Sequence, residues 1–207
     1  MTLNRSNSWR MLMAGAATVL LGACAQNPAG MASSPGASSS EVLTYGMGQH
    51  LQNYSALDQI NRSTVKNLVP VWNLSLDNSA NMSTQPLVKD GVMYVVTHNS
   101  TAAIDAVSGR QMWKTSIDLP ADVGAMICCG IQARGLALKD GVIYRPTLDA
   151  HLEALSAADG KVLWRTKVAD YKLGFSITGA PLLVGNVVMT GISGASTTPA
   201  ASFAAMT

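Results

Sequence analysis

The feature that most constrains the fold of this chain is a sequence element that recurs from residue 86 onward. Pro86 to Val95 is similar to Leu136 to Arg145, and a third copy runs from Pro181 to Thr190. A second element alternates with the first, because Ala103 to Trp113 is similar to Ala154 to Trp164. A period of roughly forty to fifty residues with a tryptophan in each unit indicates a repeat array.

Each unit consists of short apolar runs separated by turn residues. Asp90-Gly91 is a hairpin turn signal, and Ser108-Gly109 marks a second turn. The strands expected in the first unit are Leu87–Val88, Val92–Val96, Thr101–Ala106 and Gln111–Thr115. Because four short strands per unit make up a propeller blade, the sequence predicts an all-β fold, a partial β-propeller of about three blades.

Glycine and tryptophan are expected to have fixed roles in this repeat. The glycine of each turn should supply the positive φ angle. Each tryptophan should lie between neighbouring blades, with its ring buried and its indole N–H hydrogen bonded. Val69 to Trp72 is the end of an earlier copy of the second element. The only helix predicted is Ser63 to Leu68, with Ser63 as its cap.

The N-terminus has the layout of an export signal. The apolar run from Met11 to Ala23 follows a polar segment and is too short to span a bilayer. Leu21-Gly22-Ala23-Cys24 resembles the lipobox of bacterial lipoproteins, which implies cleavage before Cys24 and lipidation of its thiol. The alternative is an ordinary signal peptide that is cut nearby, with Cys24 incidental.

The resulting expectation is a signal peptide over residues 1–23 and a flexible tether of Ala, Ser, Gly and Pro over residues 24–40. Ala25, rather than an aspartate, follows Cys24, which favours an exported protein on the periplasmic side, lipid-anchored to the outer membrane. The formal net charge is +2 and there is no basic run, so nothing indicates nucleic-acid binding.

Cys128 and Cys129 are adjacent and lie directly before Gly130. A disulfide between neighbouring cysteines requires a bent peptide and strained bond geometry, and strain of this kind occurs where a site needs a rigid surface. On the pair alone, two small buried thiols are the simpler interpretation. Exported proteins can hold disulfides, and lipidation of Cys24 would leave only this pair.

From about Tyr45 to Ala195 the chain resembles the N-terminal part of the pyrroloquinoline quinone (PQQ)-dependent alcohol dehydrogenases, the methanol and ethanol dehydrogenase family. The repeat Ala-x-Asp-x-x-x-Gly-x-x-x-Trp marks only the propeller superfamily. The motifs that carry the resemblance also include Tyr54–Asn61, Thr147–Leu155, Ser176–Pro181 and Gly191–Ala195. Much more specific is the ordered set of Cys128-Cys129 with Arg134-Gly135, then Thr178–Pro181 and Ser193–Ala195. The resemblance implies a propeller with the quinone on its axis, of which residues 41–195 would form about three of eight four-stranded blades.

The resemblance also implies roles for individual residues. Cys128 and Cys129 would form a vicinal disulfide that covers one face of the PQQ ring. Arg134 would bind the quinone oxygens or a PQQ carboxylate, for which a planar guanidinium is well suited. Thr178 would hydrogen-bond a cofactor carboxylate. The residues that would line the pocket with hydroxyl and backbone donors are Ser193, Gly194 and Ala195. Taken singly, each of these residues could equally be an ordinary surface, strand or turn residue.

Two positions depart from the family pattern. Ser83 stands where a cofactor-contacting glutamate is usual, three residues before Pro86. Ser196 stands where the family has a glutamate that binds the catalytic Ca²⁺ or lanthanide, and serine is a poor ligand for a hard cation. The hypothesis is that residues 196–207 are an aberrant tail read out of frame; a naturally short protein with its own tail is the alternative.

The resemblance implies oxidation of a small primary alcohol to an aldehyde, with PQQ and Ca²⁺ or a lanthanide as cofactors and cytochrome c as electron acceptor. It places the catalytic aspartate, the asparagine metal ligand and a floor tryptophan after the last residue of this chain. No catalytic or metal-binding residue is therefore assigned, and the chain alone is expected to be inactive and marginally folded, because an open arc of blades exposes sheet edges. The alternative is a non-catalytic propeller lipoprotein, a scaffold in outer-membrane protein assembly.

Overall fold

Antiparallel sheets form where the repeat predicts them. The computed structural model describes residues 41–48, 51–78, 80, 82–127, 130–194 and 202–206. Blade 1 has the strand order β1-β2-β3-β4 and blade 2 the order β5-β6-β7-β8. The strands are β1 (Leu87–Lys89), β2 (Val92–Val96), β3 (Ser100–Asp105), β4 (Gln111–Ser116), β5 (Ala137–Lys139), β6 (Val142–Pro146), β7 (His151–Ser156) and β8 (Val162–Lys167). The prediction of an all-β partial propeller is confirmed.

A third sheet contains β9 (Leu182–Val184), β10 (Val187–Ile192) and β11 (Ser202–Met206), in the order β11-β10-β9. β11 pairs antiparallel with β10, from Val188 opposite Met206 to Ile192 opposite Ser202. β11 lies within residues 196–207, the segment predicted to be an aberrant tail, and forms the third strand of this sheet. Whether this segment is read out of frame is a question about the gene and stays a prediction.

The hairpins at the start of blades 1 and 2 have the same turn. Asp90 and Gly91 have φ angles of 51° and 75°, and Asp140 and Gly141 have φ angles of 50° and 75°. Positive φ at both central residues matches the right-handed twist of the flanking strands, as in a two-residue type I′ hairpin. The predicted role of glycine in these turns is confirmed.

The helix prediction was wrong in extent and in number. Only a 3₁₀ turn, Val65–Asn67, forms within the predicted range Ser63–Leu68. The side chain of Asn61 organises it by accepting from the N–H groups of Ser63 (2.9 Å) and Thr64 (3.2 Å), so Ser63 is not the cap. The other short helices are the 3₁₀ turns Tyr45–Met47 and Tyr171–Leu173 and the α-helix α1 (Val123–Met126).

Tryptophan joins consecutive repeats. The indole of Trp72 donates to the Ala106 carbonyl, and that of Trp113 donates to the Ala157 carbonyl, each at 3.1 Å. Both rings lie directly on the backbone of a turn glycine. A Cβ atom on Gly109 would lie 2.5 Å from the Trp72 ring, and one on Gly160 would lie 2.5 Å from the Trp113 ring. The predicted position of tryptophan between repeats is confirmed for Trp72 and Trp113.

Trp113 of blade 1 also contributes to the main core, which includes Leu87, Ile143 and Leu155 of blades 1 and 2. Trp164 occupies the equivalent position in blade 2, and its ring lies 6.0 Å from that of Tyr144, much as Trp113 lies 6.1 Å from Tyr94. Trp164 is nevertheless 37% exposed. Trp72 and Trp113 are each covered by the turn between the third and fourth strands of the following blade. The described residues of the third sheet include no such turn, so none covers Trp164.

Within the described ranges, no helix has both the length and the apolar character needed to span a bilayer. The predicted signal peptide, the tether and Cys24 lie outside the described residues and remain predictions.

The contact between Trp113 and Gly160 predicts different costs for two alanine substitutions. Gly141→Ala should cost about 1–2 kcal/mol, because it forces an L-residue to keep a positive φ in open space. Gly160→Ala has the same φ and should cost about 1–3 kcal/mol more, because its methyl group overlaps the Trp113 ring. Urea unfolding followed by circular dichroism would measure both, and equal losses would show that the ring can move away freely.

Candidate cofactor site

The segments that lead into the first strand of each sheet lie side by side. The N–H of Gln85 donates to the carbonyl of Arg134 at 3.2 Å, and the N–H of Arg134 donates to the carbonyl of Thr178 at 3.0 Å. These segments lie so close together that a Cβ atom at Gly135 would be only 3.1 Å from the Cβ of Ala180, which leaves little room for a side chain there. β1, β5 and β9 therefore begin beside one another, and the three sheets converge at this point.

Arg134, a predicted cofactor-binding residue, lies half-buried at this convergence. Its guanidinium donates to the hydroxyl of Thr178 and to Oε1 of Gln132 (3.1 Å), both of which are neutral groups. Among the described residues, no carboxylate forms an ion pair with it. Because a partly desolvated charge is costly without a counter-charge, this arrangement favours an anion from outside the described residues.

Ser193 lies at the end of β10 and bonds to the segment that contains Thr178. Ser193 and Ser176 exchange two backbone hydrogen bonds of 2.9 Å, and their hydroxyl oxygens are 3.1 Å apart. Gly194 packs against the ring of Phe175, so close that a Cβ atom would lie 2.9 Å from it. Thr178 follows Ser176 by two residues. The structure thus links Arg134, Thr178 and Ser193, which the sequence places in three separate motifs.

Three other predicted site residues, Cys128, Cys129 and Ala195, lie outside the described residues. The vicinal disulfide therefore stays a prediction. The neighbours of the cysteine pair are described: Ile127 is buried beside Val123 and Leu148, and Gly130 has a φ of 83°.

A buried ionic row across blade 2 was not anticipated from the sequence. Arg145, Glu153 and Arg165 lie opposite one another on β6, β7 and β8. Glu153 bonds to both arginines, and Asp149 forms a second ion pair with Arg165. Arg145 and Glu153 are only 1% and 2% exposed. Burial lowers the pKa of Arg145 below its usual range, and the charge of Glu153 partly offsets this effect.

Arg145 also holds blade 1 in place. Its two terminal nitrogens donate to the carbonyls of Thr115 and Ser116 at the end of β4, each at 3.1 Å. The repeat contained a signal for this row, since the equivalent cross-strand pair in blade 1 is the apolar Val95 and Ala102. Aligning the two blades in register would have shown a charged pair that replaces an apolar one.

The set of donors at the convergence defines what it can bind. A guanidinium without a carboxylate partner and hydroxyls from neighbouring segments suit a planar anion with carboxylate or quinone oxygens. In the described part of the chain, no group of three or more His, Cys, Asp or Glu side chains could hold a metal ion. The fold is that of a partial β-propeller, and the donors at the convergence are of a kind that could bind an anionic organic group.

The chain belongs to the PQQ-dependent dehydrogenase family. The family model described as the β-propeller domain of glucose, ethanol and alcohol dehydrogenases (PQQ) matches residues 43–193. A quinoprotein alcohol dehydrogenase of Pseudomonas putida, PedH, is 41% identical over 157 residues, which are 74% of this chain and 26% of that protein. The 1-butanol dehydrogenase (quinone) of Thauera butanivorans is 40% identical over 147 residues, which are 70% of this chain and 23% of that protein.

The solved structure of a europium-containing methanol dehydrogenase has a TM-score of 0.72 and 34% identity to this chain, and the match covers 75% of this chain and 28% of that one. The chain therefore spans about a quarter of the length of these relatives. All three are dehydrogenases, and they give the scaffold alternative no support.

The ionic row predicts a non-additive pair of substitutions. Glu153→Ala should lower the free energy of unfolding by about 3–5 kcal/mol, because it leaves the buried Arg145 without its counter-charge. Arg145→Val combined with Glu153→Ala restores the residue pair of blade 1 and should cost less than Glu153→Ala alone. Urea unfolding of the two variants would show this difference.

The matched control is Lys167→Ala, which removes an exposed ion pair with Asp170 and should cost less than about 1 kcal/mol. If the double variant is less stable than Glu153→Ala, Arg145 stabilises the fold chiefly through its bonds to the β4 carbonyls rather than through Glu153.

Proposed function

We propose that this chain supplies part of the PQQ-binding site of a quinoprotein alcohol dehydrogenase. The observation that carries this proposal is the environment of Arg134. Its guanidinium is half-buried, bonds to neutral groups, and has no carboxylate partner in the described part of the chain. Arg145, by contrast, is buried and forms an ion pair with Glu153. The difference supports a binding role for Arg134 and a structural role for Arg145.

The residues present fit PQQ, which carries several carboxylates and an ortho-quinone. Arg134 would donate to a carboxylate or to the quinone oxygens, while Thr178 both orients the guanidinium and offers its hydroxyl. Ser193, held by Ser176, would offer a second hydroxyl. Gly194 allows the Phe175 ring to approach the backbone, which shapes the wall beside Ser193. PQQ, when bound, supplies the two-electron acceptor for oxidation of an alcohol.

Further parts of the proposal rest on the family resemblance. Cys128 and Cys129 would form a vicinal disulfide over one face of PQQ, and Ala195 would extend the pocket wall. In the complete enzyme a Ca²⁺ or lanthanide ion would act beside PQQ, a small primary alcohol would be oxidised, and cytochrome c would accept the electrons. Export to the periplasmic side, with lipid on Cys24 as the membrane anchor, completes the proposal. That this chain alone is inactive stays a prediction.

The binding role of Arg134 predicts a loss of PQQ affinity on substitution. Arg134→Gln should weaken PQQ binding by about tenfold to a hundredfold, because a charge-assisted hydrogen bond to an anion is lost. Arg134→Lys keeps the charge but not the planar fork, so its loss should be smaller. Equilibrium dialysis of PQQ against the purified chain would measure all three affinities without requiring turnover.

The matched control is Arg110→Gln, which removes the same charge from an exposed turn at the opposite end of blade 1 and should leave the affinity unchanged. Equal PQQ affinities for Arg134→Gln and the unsubstituted chain would contradict the proposal, as would equal losses in the Arg134 and Arg110 variants.

A further inference from the structure

Residues 69–76, which we call the docking segment, lie along blade 1 without a partner strand. The side chains of Trp72, Leu74 and Leu76 alternate toward the sheet of blade 1 and pack against its buried residues. Apart from the Leu76 carbonyl, which accepts from Nζ of Lys114 at 3.4 Å, the backbone of the docking segment forms no hydrogen bond with any described residue. A strand-like segment with an unpaired backbone is a template for pairing with another strand.

The repeat shows which strand is missing. Trp72 corresponds to Trp113 of β4, because both indoles lie on a turn glycine of the blade that follows. The docking segment therefore corresponds to β4, which pairs with β3 of its own blade. The strand that it lacks is one in the β3 position of a preceding blade.

β11 is a strand in the β3 position, and its outer edge is free. It ends the order β11-β10-β9 and has no second neighbour among the described strands. Ala204 of β11 lies opposite Thr190, just as Ala102 of β3 lies opposite Val95, the equivalent residue of the first repeat. The third sheet therefore has the register of a blade but lacks a strand of the β4 type, which is the type that the docking segment supplies.

Blade 1 shows which backbone groups such a pairing uses. The N–H of Ile117 donates to the Asn99 carbonyl at 2.7 Å, so these residues form a hydrogen-bonded pair at the end of the β3–β4 ladder. Hydrogen-bonded pairs occur at every second position of an antiparallel ladder. Trp113 and Ala103, which lie opposite each other, are therefore another such pair.

The same pattern can be transferred to the two free edges. It turns the N–H groups of Trp72 and Leu74 toward the missing strand and that of Asn73 away from it. On β11, the backbone groups that face away from β10 are then those of Phe203 and Ala205. The two edges thus offer donors and acceptors at matching positions.

A single copy does not join its own two edges. In the described part of the chain, β11 pairs with β10 and not with the docking segment. Closed propellers have about four to eight blades, so the three described sheets are too few to bring the ends together. Two copies contain six sheets, which is within that range, whereas three copies exceed it.

We propose that two copies of this chain associate head to tail, with the docking segment of each copy added as the fourth strand beside β11 of the other. The two identical junctions close a six-bladed ring and pair the free edges of both copies. Main-chain hydrogen bonds supply the affinity of this strand addition, and Trp72 keeps each docking segment fixed on its own blade 1. The association does not rest on the proposed function, because it uses only these two edges.

The test combines light scattering during size-exclusion chromatography with amide hydrogen exchange of the purified chain. At a protein concentration on the order of 100 μM, we expect twice the mass of one chain. The amides of Trp72 and Leu74 should exchange at least about tenfold more slowly than that of Asn73, because only the first two are hydrogen bonded in the pair. A monomer, an open polymer, or equal exchange at the three positions would overturn the proposal.

Two proline variants separate strand addition from other modes of association. Ala205→Pro removes an N–H from the free edge of β11 and leaves the groups that face β10 in place, so it should give a monomer. Asn73→Pro is the matched control in the docking segment. Its lost N–H faces away from β11, so the pair should remain. Equal masses for the two variants would contradict the proposal.

If circular dichroism shows that Ala205→Pro does not fold, dilution of the unsubstituted chain replaces it. As the mass falls to that of one chain, the amides of Trp72 and Leu74 should lose their protection. The amide of Ile117, which is bonded within one copy, should keep its protection. Loss of protection at all three amides, or at none of them, would overturn the proposal.

Discussion

The contact of an indole ring with a turn glycine of the next repeat is the interaction on which the rest of the structure depends. Trp72 lies on Gly109, and Trp113 lies on Gly160, with the same hydrogen bond to a carbonyl three residues before the glycine. Only glycine leaves room for the ring and also adopts the positive φ of the turn. This contact sets the distance between successive repeats, and the convergence of the strand-leading segments depends on that distance.

Charge is used in two different ways at the two places where the blades meet. On the face between blades 1 and 2, Arg145 is buried and paired with Glu153, and it fixes the end of β4. Where the three sheets converge, Arg134 is held by hydrogen bonds to neutral groups. A paired charge keeps the fold in register, whereas an unpaired one is available for a ligand. The chain belongs to the family of the quinoprotein dehydrogenases, which is why we propose the quinone cofactor as the ligand of Arg134.

The repeat allowed the strands, the Asp-Gly turns and the positions of Trp72 and Trp113 to be predicted, because each depends on local sequence and a fixed period. The contact of Arg134 with Thr178 could be predicted only through the family resemblance, since 44 residues separate the two. Asn61 as the organiser of the first 3₁₀ turn was missed, because Ser63 is an equally good cap by type. The repeat places the charged pair Arg145 and Glu153 where blade 1 has Val95 and Ala102. Its burial and its extension to Arg165 depend on the register of three strands, which a single sequence does not show directly.

A crystal structure of the chain soaked with PQQ would test the central claim most directly. The account predicts PQQ at the convergence of the three sheets, with one of its carboxylate or quinone oxygens within hydrogen-bond distance of the Arg134 guanidinium. PQQ bound elsewhere, or an Arg134 already paired with a carboxylate of the protein, would contradict it.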